Sequence, residues 1–278
     1  MEKWNLIIDV DKCENCHNCT LVTKDEHVGN DFPGYAAPQP LHGHEWVRLQ
    51  RRVRGTGSMV DAAYLPTTCN HCDDAPCLKS DGSVYKRPDG IVIIDPVKAK
   101  GREDIVDSCP YKVIFWNDEL QLPQKWIFDA HLLDQGWPEP RWTQACPTGA
   151  ARAVKLEDPQ MQELVEQQDL EVLSPELGTS PRVYYRNLYR YNKSFIGGSV
   201  ATTIDGDEEC LEGARVVLHE GAEQLAEATT DCFGDFKFDK LDPDSGPYRV
   251  EISHAEHGTQ SVDIATVGTS QYLGSVTL

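Results

Sequence analysis

The sequence is poor in positive charge. Lys and Arg together number 26 against 45 Asp and Glu, a formal net charge of −19. Nucleic acids and anionic membranes repel such a chain, so neither is expected as a partner. A basic docking surface on another protein would suit it. No apolar run reaches the roughly 20 residues that a membrane-spanning helix needs. Met1–Val10 has neither the apolar core nor the small-residue cleavage site of a secretory leader, and it runs directly into Cys13. The expectation is a soluble, cytoplasmic chain with no membrane contact. A Ser-His-Asp set, a P-loop and a Gly-x-Gly-x-x-Gly fingerprint are all missing, and the nine histidines show no metal-ligand spacing. No catalytic residue is expected.

What the chain does have is cysteine, ten residues in 278. In a reducing compartment such a set points to metal rather than to disulfides. Two groups are compact: Cys13-x2-Cys16-x2-Cys19 and Cys69-x2-Cys72-x4-Cys77. Two more cysteines stand alone before proline, Cys109-Pro110 and Cys146-Pro147. Hydrophobic content of 40% and aromatic content of 8% suffice for a packed core.

Ferredoxin-type motifs read C-x2-C-x2-C-x3-C-P. Three thiolates hold one [4Fe–4S] cluster, and the fourth reaches across to another cluster. In this chain the first motif has Thr23 at its fourth position and the second has Asp81. A third motif would have Ala99, Arg102 and Ile105 where the triad belongs, and keeps only Cys109. A fourth would have Trp126, Asp129 and Trp142, and keeps only Cys146. Two triads without a fourth ligand thus accompany two fourth ligands without triads, enough for two four-cysteine sites. Spacing alone does not decide which lone cysteine completes which triad. Zinc is the alternative metal, but zinc ribbons rarely use a C-x2-C-x2-C run or Cys-Pro partners. Ligation by Asp81 is disfavoured because Cys109 is available.

These motifs resemble the iron–sulfur subunits of molybdopterin oxidoreductases of the dimethyl sulfoxide reductase family. Within that family the resemblance is to small subunits of the pyrogallol–phloroglucinol transhydroxylase and resorcinol hydroxylase type. It is carried by Cys13-Glu14-Asn15-Cys16-His17-Asn18-Cys19, Asp25-Glu26-His27, Gly90-Ile91-Val92-Ile93-Ile94-Asp95-Pro96, Cys109-Pro110-Tyr111, His131-Leu132-Leu133-Asp134, Pro175-Glu176-Leu177-Gly178-Thr179 and Pro181-Arg182-Val183-Tyr184-Tyr185. The resemblance implies a nested pairing: Cys146 completes the Cys13, Cys16, Cys19 site, and Cys109 completes the Cys69, Cys72, Cys77 site. It also implies an electron-transfer role, with the chemistry in a large subunit that carries the molybdopterin metal cofactor and acts on a phenolic aromatic. Members of this type have cysteines where this chain has Thr23, Trp126, Asp129 and Trp142, so a further cluster is missing here. Trp126 and Trp142 are expected to fill its place; a role as an electron relay is the alternative. A free-standing two-cluster carrier and a structural zinc protein are the competing functions.

The expected fold is α+β: a duplicated ferredoxin-like domain over residues 1–195, with an insertion at about 28–67, then a small all-β sandwich or barrel over 196–278. Lys3–Val10, Gly90–Ile94 and Val113–Trp116 read as strands. Asp158-Pro159 reads as a helix N-cap and first position. Met161, Leu164 and Val165 supply the helix's apolar face, and Pro175 its end. Arg48, Arg51, Arg52 and Arg54 read as a solvated basic strand, with docking to a partner as the alternative. The aromatic and basic stretch Arg182–Tyr191 reads as packing or interface. Gly197-Gly198 reads as a hinge. Beyond it a period of two appears in Ala214, Val216, Leu218, in Phe236, Phe238, and in Tyr248, Val250, Ile252. About seven strands are expected there, resembling the transthyretin-like or carboxypeptidase-regulatory type. Cys210 and Cys232 are expected as buried free thiols. His17, His27 and His71 read as polar neighbours of the clusters, with tuning of cluster potential as the sharper alternative.

Overall fold

A computed structural model describes all 278 residues, Met1–Leu278. Two compact units divide the chain: Met1–Gln50 with Tyr64–Leu188, and Arg51–Ala63 with Tyr189–Leu278.

The first unit opens with β1 (Lys3–Asp9), followed by α1 (Asn18–His27). A hairpin of β2 (Val47–Thr56) and β3 (Met59–Thr68) comes next, and its tip is counted with the second unit. Two small hairpins follow: β4 (Val84–Lys86) with β5 (Val92–Ile94) and, after the single-turn α2 (Asp104–Asp107), β6 (Phe115–Asn117) with β7 (Leu122–Gln124). Short helices α3 (Ala130–Asp134) and α4 (Arg141–Ala145) lead to β8 (Ala151–Leu156), α5 (Asp158–Gln168) and β9 (Val183–Arg186). β1 lies at the centre of a three-stranded sheet, antiparallel to β8 and parallel to β9. Leu6, Ile7 and Ile8 are all buried. A central strand covered on both faces shows such a continuous apolar run rather than alternation. Ile7 packs with Met161 of α5, whose Leu164 and Val165 lie against the same cluster.

α5 begins one residue earlier than the proline suggests. Glu157 is the N-cap, and its side chain and that of Gln160 form a reciprocal capping box, so Asp158 is already helical. The helix ends at Gln168 rather than at Pro175. Asp169 turns left-handed there and its N–H returns to the Val165 carbonyl. Pro175 instead starts a single 3-10 turn, Pro175–Leu177.

The second unit contains α6 (Tyr189–Asn192) and eight strands: β10 (Ser194–Ile204), β11 (Asp207–Cys210), β12 (Arg215–Glu220), β13 (Glu223–Thr229), β14 (Asp235–Leu241), β15 (Tyr248–His254), β16 (Gly258–Ile264) and β17 (Gln271–Thr277). β11, β14 and β17 all pair with β10 in one sheet, while the other runs β13-β12-β15-β16. Both sheets contribute to one core, with Ile196, Val200, Phe236 and Phe238 from the first and Val216, Leu218, Val250 and Ile252 from the second. Val217 is buried too, so the alternation along β12 is incomplete.

Gly197-Gly198 is not a hinge: both lie inside β10 and are paired to Lys237 and Phe236 of β14. A Cβ on Gly197 would stand 2.2 Å from Met59 Sδ, and one on Gly198 3.0 Å from the Phe236 ring. Glycine here serves close packing. Cys210 and Cys232 are free but exposed, not buried. β11 is an edge strand with all four residues exposed, and Cys232 sits in a surface turn. Arg54 is not solvated; at 2% exposure it pairs with Asp61 and Asp239 inside this unit. Arg52 donates to the Tyr191 carbonyl.

Candidate metal centres

Eight cysteines of the first unit gather in two places. Cys69, Cys72, Cys77 and Cys109 line one small pocket that opens to solvent, together with His71 and Lys125. All four are buried. Burial pushes the Cys72 thiol up to about 12 and the Cys77 thiol to about 11, and each lies within charge–charge range of the other cysteines of this group. Such thiols keep their protons until a metal displaces them. β4 and β5 pack beside the quartet: Val84, Val92 and Ile94 share a core cluster with Cys77 and Cys109.

The second gathering lies nearer the surface. Cys13 is within charge–charge range of Cys16 and Cys146, and Cys19 of Cys13 and Cys16. Cys16 is exposed, Cys13 and Cys146 are half-buried, and Cys19 is buried, its thiol pushed up to about 12 by that burial. α1 presents Cys19, and α4, packed against α1, ends at Cys146. The lone Cys146 thus meets the first triad and the lone Cys109 the second. Asp81 takes no part; it accepts from Arg102 and from the Ser83 backbone N–H.

The backbone carries the same signature at all four motif positions. The second residue between the first two ligand positions is left-handed in each: Asn15 at φ 59°, His71 at 46°, Gly101 at 77° and Phe128 at 59°. For Asn, His and above all Phe this conformation is unfavourable, so it reports a loop shape fixed by its surroundings. The two Cys-Pro turns match as well. Lys112 and Gly149, each three residues after its cysteine, are left-handed and return an N–H to that cysteine's carbonyl at 3.2 Å.

The 4Fe-4S dicluster domain family matches residues 60–156. The small subunit of pyrogallol hydroxytransferase from Pelobacter acidigallici is 46% identical over 256 residues, covering 91% of each chain. The chain belongs to the iron–sulfur small subunits of the dimethyl sulfoxide reductase family of molybdoenzymes. More distant members of this family are a tetrathionate reductase subunit from Salmonella typhimurium, 33% identical, and the arsenate respiratory reductase iron–sulfur subunit of a Shewanella strain, 28% identical. They cover 67% and 66% of this chain, and 73% and 95% of their own. As an iron–sulfur small subunit the chain is an electron-transfer component that binds 4Fe–4S clusters, and catalysis in these complexes resides in the large subunit.

In this small subunit the fourth motif position is filled by side chains. Trp126 and Trp142 are buried and meet edge to face, ring centroids 5.2 Å apart. Asp129 stands where a second thiolate would be. Its Oδ1 accepts from Trp126 Nε1–H at 3.1 Å and lies 3.3 Å from His27 Nε2, while its Oδ2 accepts from the backbone N–H of Arg141 at 2.9 Å. Thr23 turns inward on α1 and donates to the Cys19 carbonyl at 2.7 Å. The three histidines separate clearly. His17 is exposed, whereas His27 belongs to the Asp129 network. His71 is buried, and burial together with Lys125 and Lys86 drives its pKa well down, so it is a neutral imidazole. Its Nδ1 accepts the Val92 N–H at 3.0 Å, which leaves the proton on Nε2.

Two lysines escape a sequence reading. Lys86 donates to the His71 and Cys72 carbonyls at 2.9 Å each and pairs with Asp73. Lys125 lies buried beside the inner quartet. The signal was one charged residue within Leu122–Phe128, a short run with no periodicity to assign it to a face.

The donor chemistry fits iron–sulfur clusters. Each quartet offers four thiolates once deprotonated, and no three His, Cys, Asp or Glu side chains converge as tightly as a single metal ion requires. Around one zinc, thiolate sulfurs at about 2.3 Å from the metal stand only about 3.8 Å apart. A cubane is itself several ångströms across and holds its four thiolates farther apart. A bound cluster supplies one-electron chemistry; the chain supplies thiolates, enclosure and charge.

Proposed function

We propose that this chain carries electrons through two [4Fe–4S] clusters, one held by Cys13, Cys16, Cys19 and Cys146, the other by Cys69, Cys72, Cys77 and Cys109. The observation that carries this reading is the gathering of eight thiols, from four separate chain segments, in two groups of four. The left-handed residue repeated at four loops supports a duplicated ferredoxin-like fold in which the other two ligand sets have been lost. Two four-stranded sheets around one core support a transthyretin-like reading of the second unit.

The electrons pass to or from a molybdopterin cofactor in a large catalytic subunit that acts on a phenolic aromatic. Supporting this is the 46% identity to a pyrogallol hydroxytransferase small subunit, maintained over 91% of both chains. The complex works in the cytoplasm, where reducing conditions favour eight cysteines as cluster ligands and leave Cys210 and Cys232 as free thiols. Anaerobic co-purification tests the reading. The expected result is a stable pair with a large molybdopterin protein, and about eight iron and eight acid-labile sulfide per copy of this chain. Stoichiometric zinc without sulfide would overturn the cluster assignment. A lone chain that shuttles electrons by itself would overturn the subunit assignment.

A further inference from the structure

The inner cysteine quartet has a cationic neighbour that coordination does not need. Lys125 is 2% exposed. Its Nζ donates to the Val92 carbonyl at 2.5 Å and to the Trp126 carbonyl at 3.2 Å. Both partners are backbone oxygens, and neither neutralises its charge. The other fully buried cation of this unit, Arg182, is paired, and so is half-buried Lys86; half-buried Lys24 also bonds only to backbone carbonyls, but it lies closer to solvent. Lys86 has Asp73, and Arg182 has Asp73 and Asp158. An ammonium taken out of water without a counter-ion is costly, so a negative partner is expected within reach. The cavity beside Lys125 is lined by Cys69, Cys72, Cys77 and Cys109, and the ammonium lies within charge–charge range of Cys77 and Cys109. The outer quartet differs. The charged side chain close to Cys13 is Glu14, and water reaches Cys16 directly.

We propose that Lys125 is the counter-ion of the cluster held by the inner quartet, and that its charge raises that cluster's reduction potential against the opposing effect of burial. The inference rests on the two-cluster reading given above. Reduction adds one electron to the site, with no bond made or broken, so the site gains one negative charge. Burial disfavours the more highly charged state, and a fixed cation in the pocket wall favours it. Lys125 is thus a tuning residue; it ligates nothing.

The test uses the full chain, purified anaerobically with whatever large subunit accompanies it, unsubstituted and as Lys125→Met and Lys125→Arg. Dithionite titration with redox mediators, followed by electron paramagnetic resonance, reads the midpoint of each cluster. In Lys125→Met one midpoint is expected to fall while the other stays in place, and in Lys125→Arg both are expected to remain near their original values. Should the methionine variant assemble only half the iron while the arginine variant assembles all of it, the counter-ion role is supported in a stronger form. Unchanged midpoints in a fully loaded methionine variant would overturn the proposal. Equal shifts in both clusters, or an arginine variant that behaves like the methionine one, would do the same. An unsubstituted chain free of iron and sulfide would instead overturn the two-cluster reading and leave no cluster for Lys125 to tune.

Discussion

Asp129 stands at a motif position where ferredoxins have a cysteine, and its carboxylate is held by protein groups. Its carboxylate gathers the Trp126 indole, the first amide of α4 and His27, all inside the protein. Asp129→Ala leaves these groups without their acceptor, and an orphaned buried donor costs about 1–3 kcal/mol. The expected outcome is a marked loss of stability, seen as a lower urea midpoint for the first unit. Asp129→Asn should lose clearly less, because its amide oxygen still accepts. Equal losses in the two variants would show that charge, not hydrogen bonding, holds this corner together. The cysteines were legible in the sequence because ligand spacing is a local property: three thiolates on one loop need no tertiary context to be recognised. Asp129, Lys125 and Arg54 were not. Their burial depends on partners far away in sequence, and a charged residue read alone is most often on the surface.

Secondary structure was legible where periodicity had room to develop. The seven-residue strands β14 and β15 declare themselves by alternation, and α5 by its apolar face. The three-residue strands β4 to β7 span less than two repeats of a period-two pattern, so only part of their position showed. The β2–β3 hairpin was hidden for another reason. Its tip is held by charge pairs rather than by an apolar face, with Asp61 accepting from both Arg54 and Arg190. Burial pushes the Asp61 carboxyl up, but hydrogen bonds and charge from Arg190 and Arg54 outweigh it and hold the group at about 2. The unfolded value is 3.8. A depressed pKa contributes stability that is fully present above about pH 4 and lost as pH falls through the folded value. A shift of this size corresponds to about 2 kcal/mol. Asp61→Asn should therefore be less stable than the parent at neutral pH by about that much, and the gap should close between about pH 4 and pH 2. Chemical denaturation of both proteins across that range checks it; a gap independent of pH would mean that the ion pairs contribute nothing.

At the scale of the whole molecule, all eight gathered thiols belong to the first unit and none to the second. Stripping iron anaerobically with a chelator should therefore act on one unit only. Calorimetry is expected to show two transitions, one moving to lower temperature on iron loss and the other staying in place, because metal bound to the native state stabilises only what it binds. A common shift of both would show that the units unfold together. No helix of the chain is long and apolar enough to cross a membrane. The division into units was only partly visible in the sequence, since the hairpin tip enters the second unit from a point far upstream. In the proposed pairing, the way the thiols nest also sets an order in time. A ribosome delivers the chain from its N-terminus, so the inner quartet is complete once Cys109 has emerged. The earlier triad of Cys13, Cys16 and Cys19 must wait for Cys146. The thiols made first are thus the last to be closed, and two of them, Cys13 and Cys16, lie nearer the surface than the inner quartet, within reach of an iron–sulfur donor after the rest of the unit has folded.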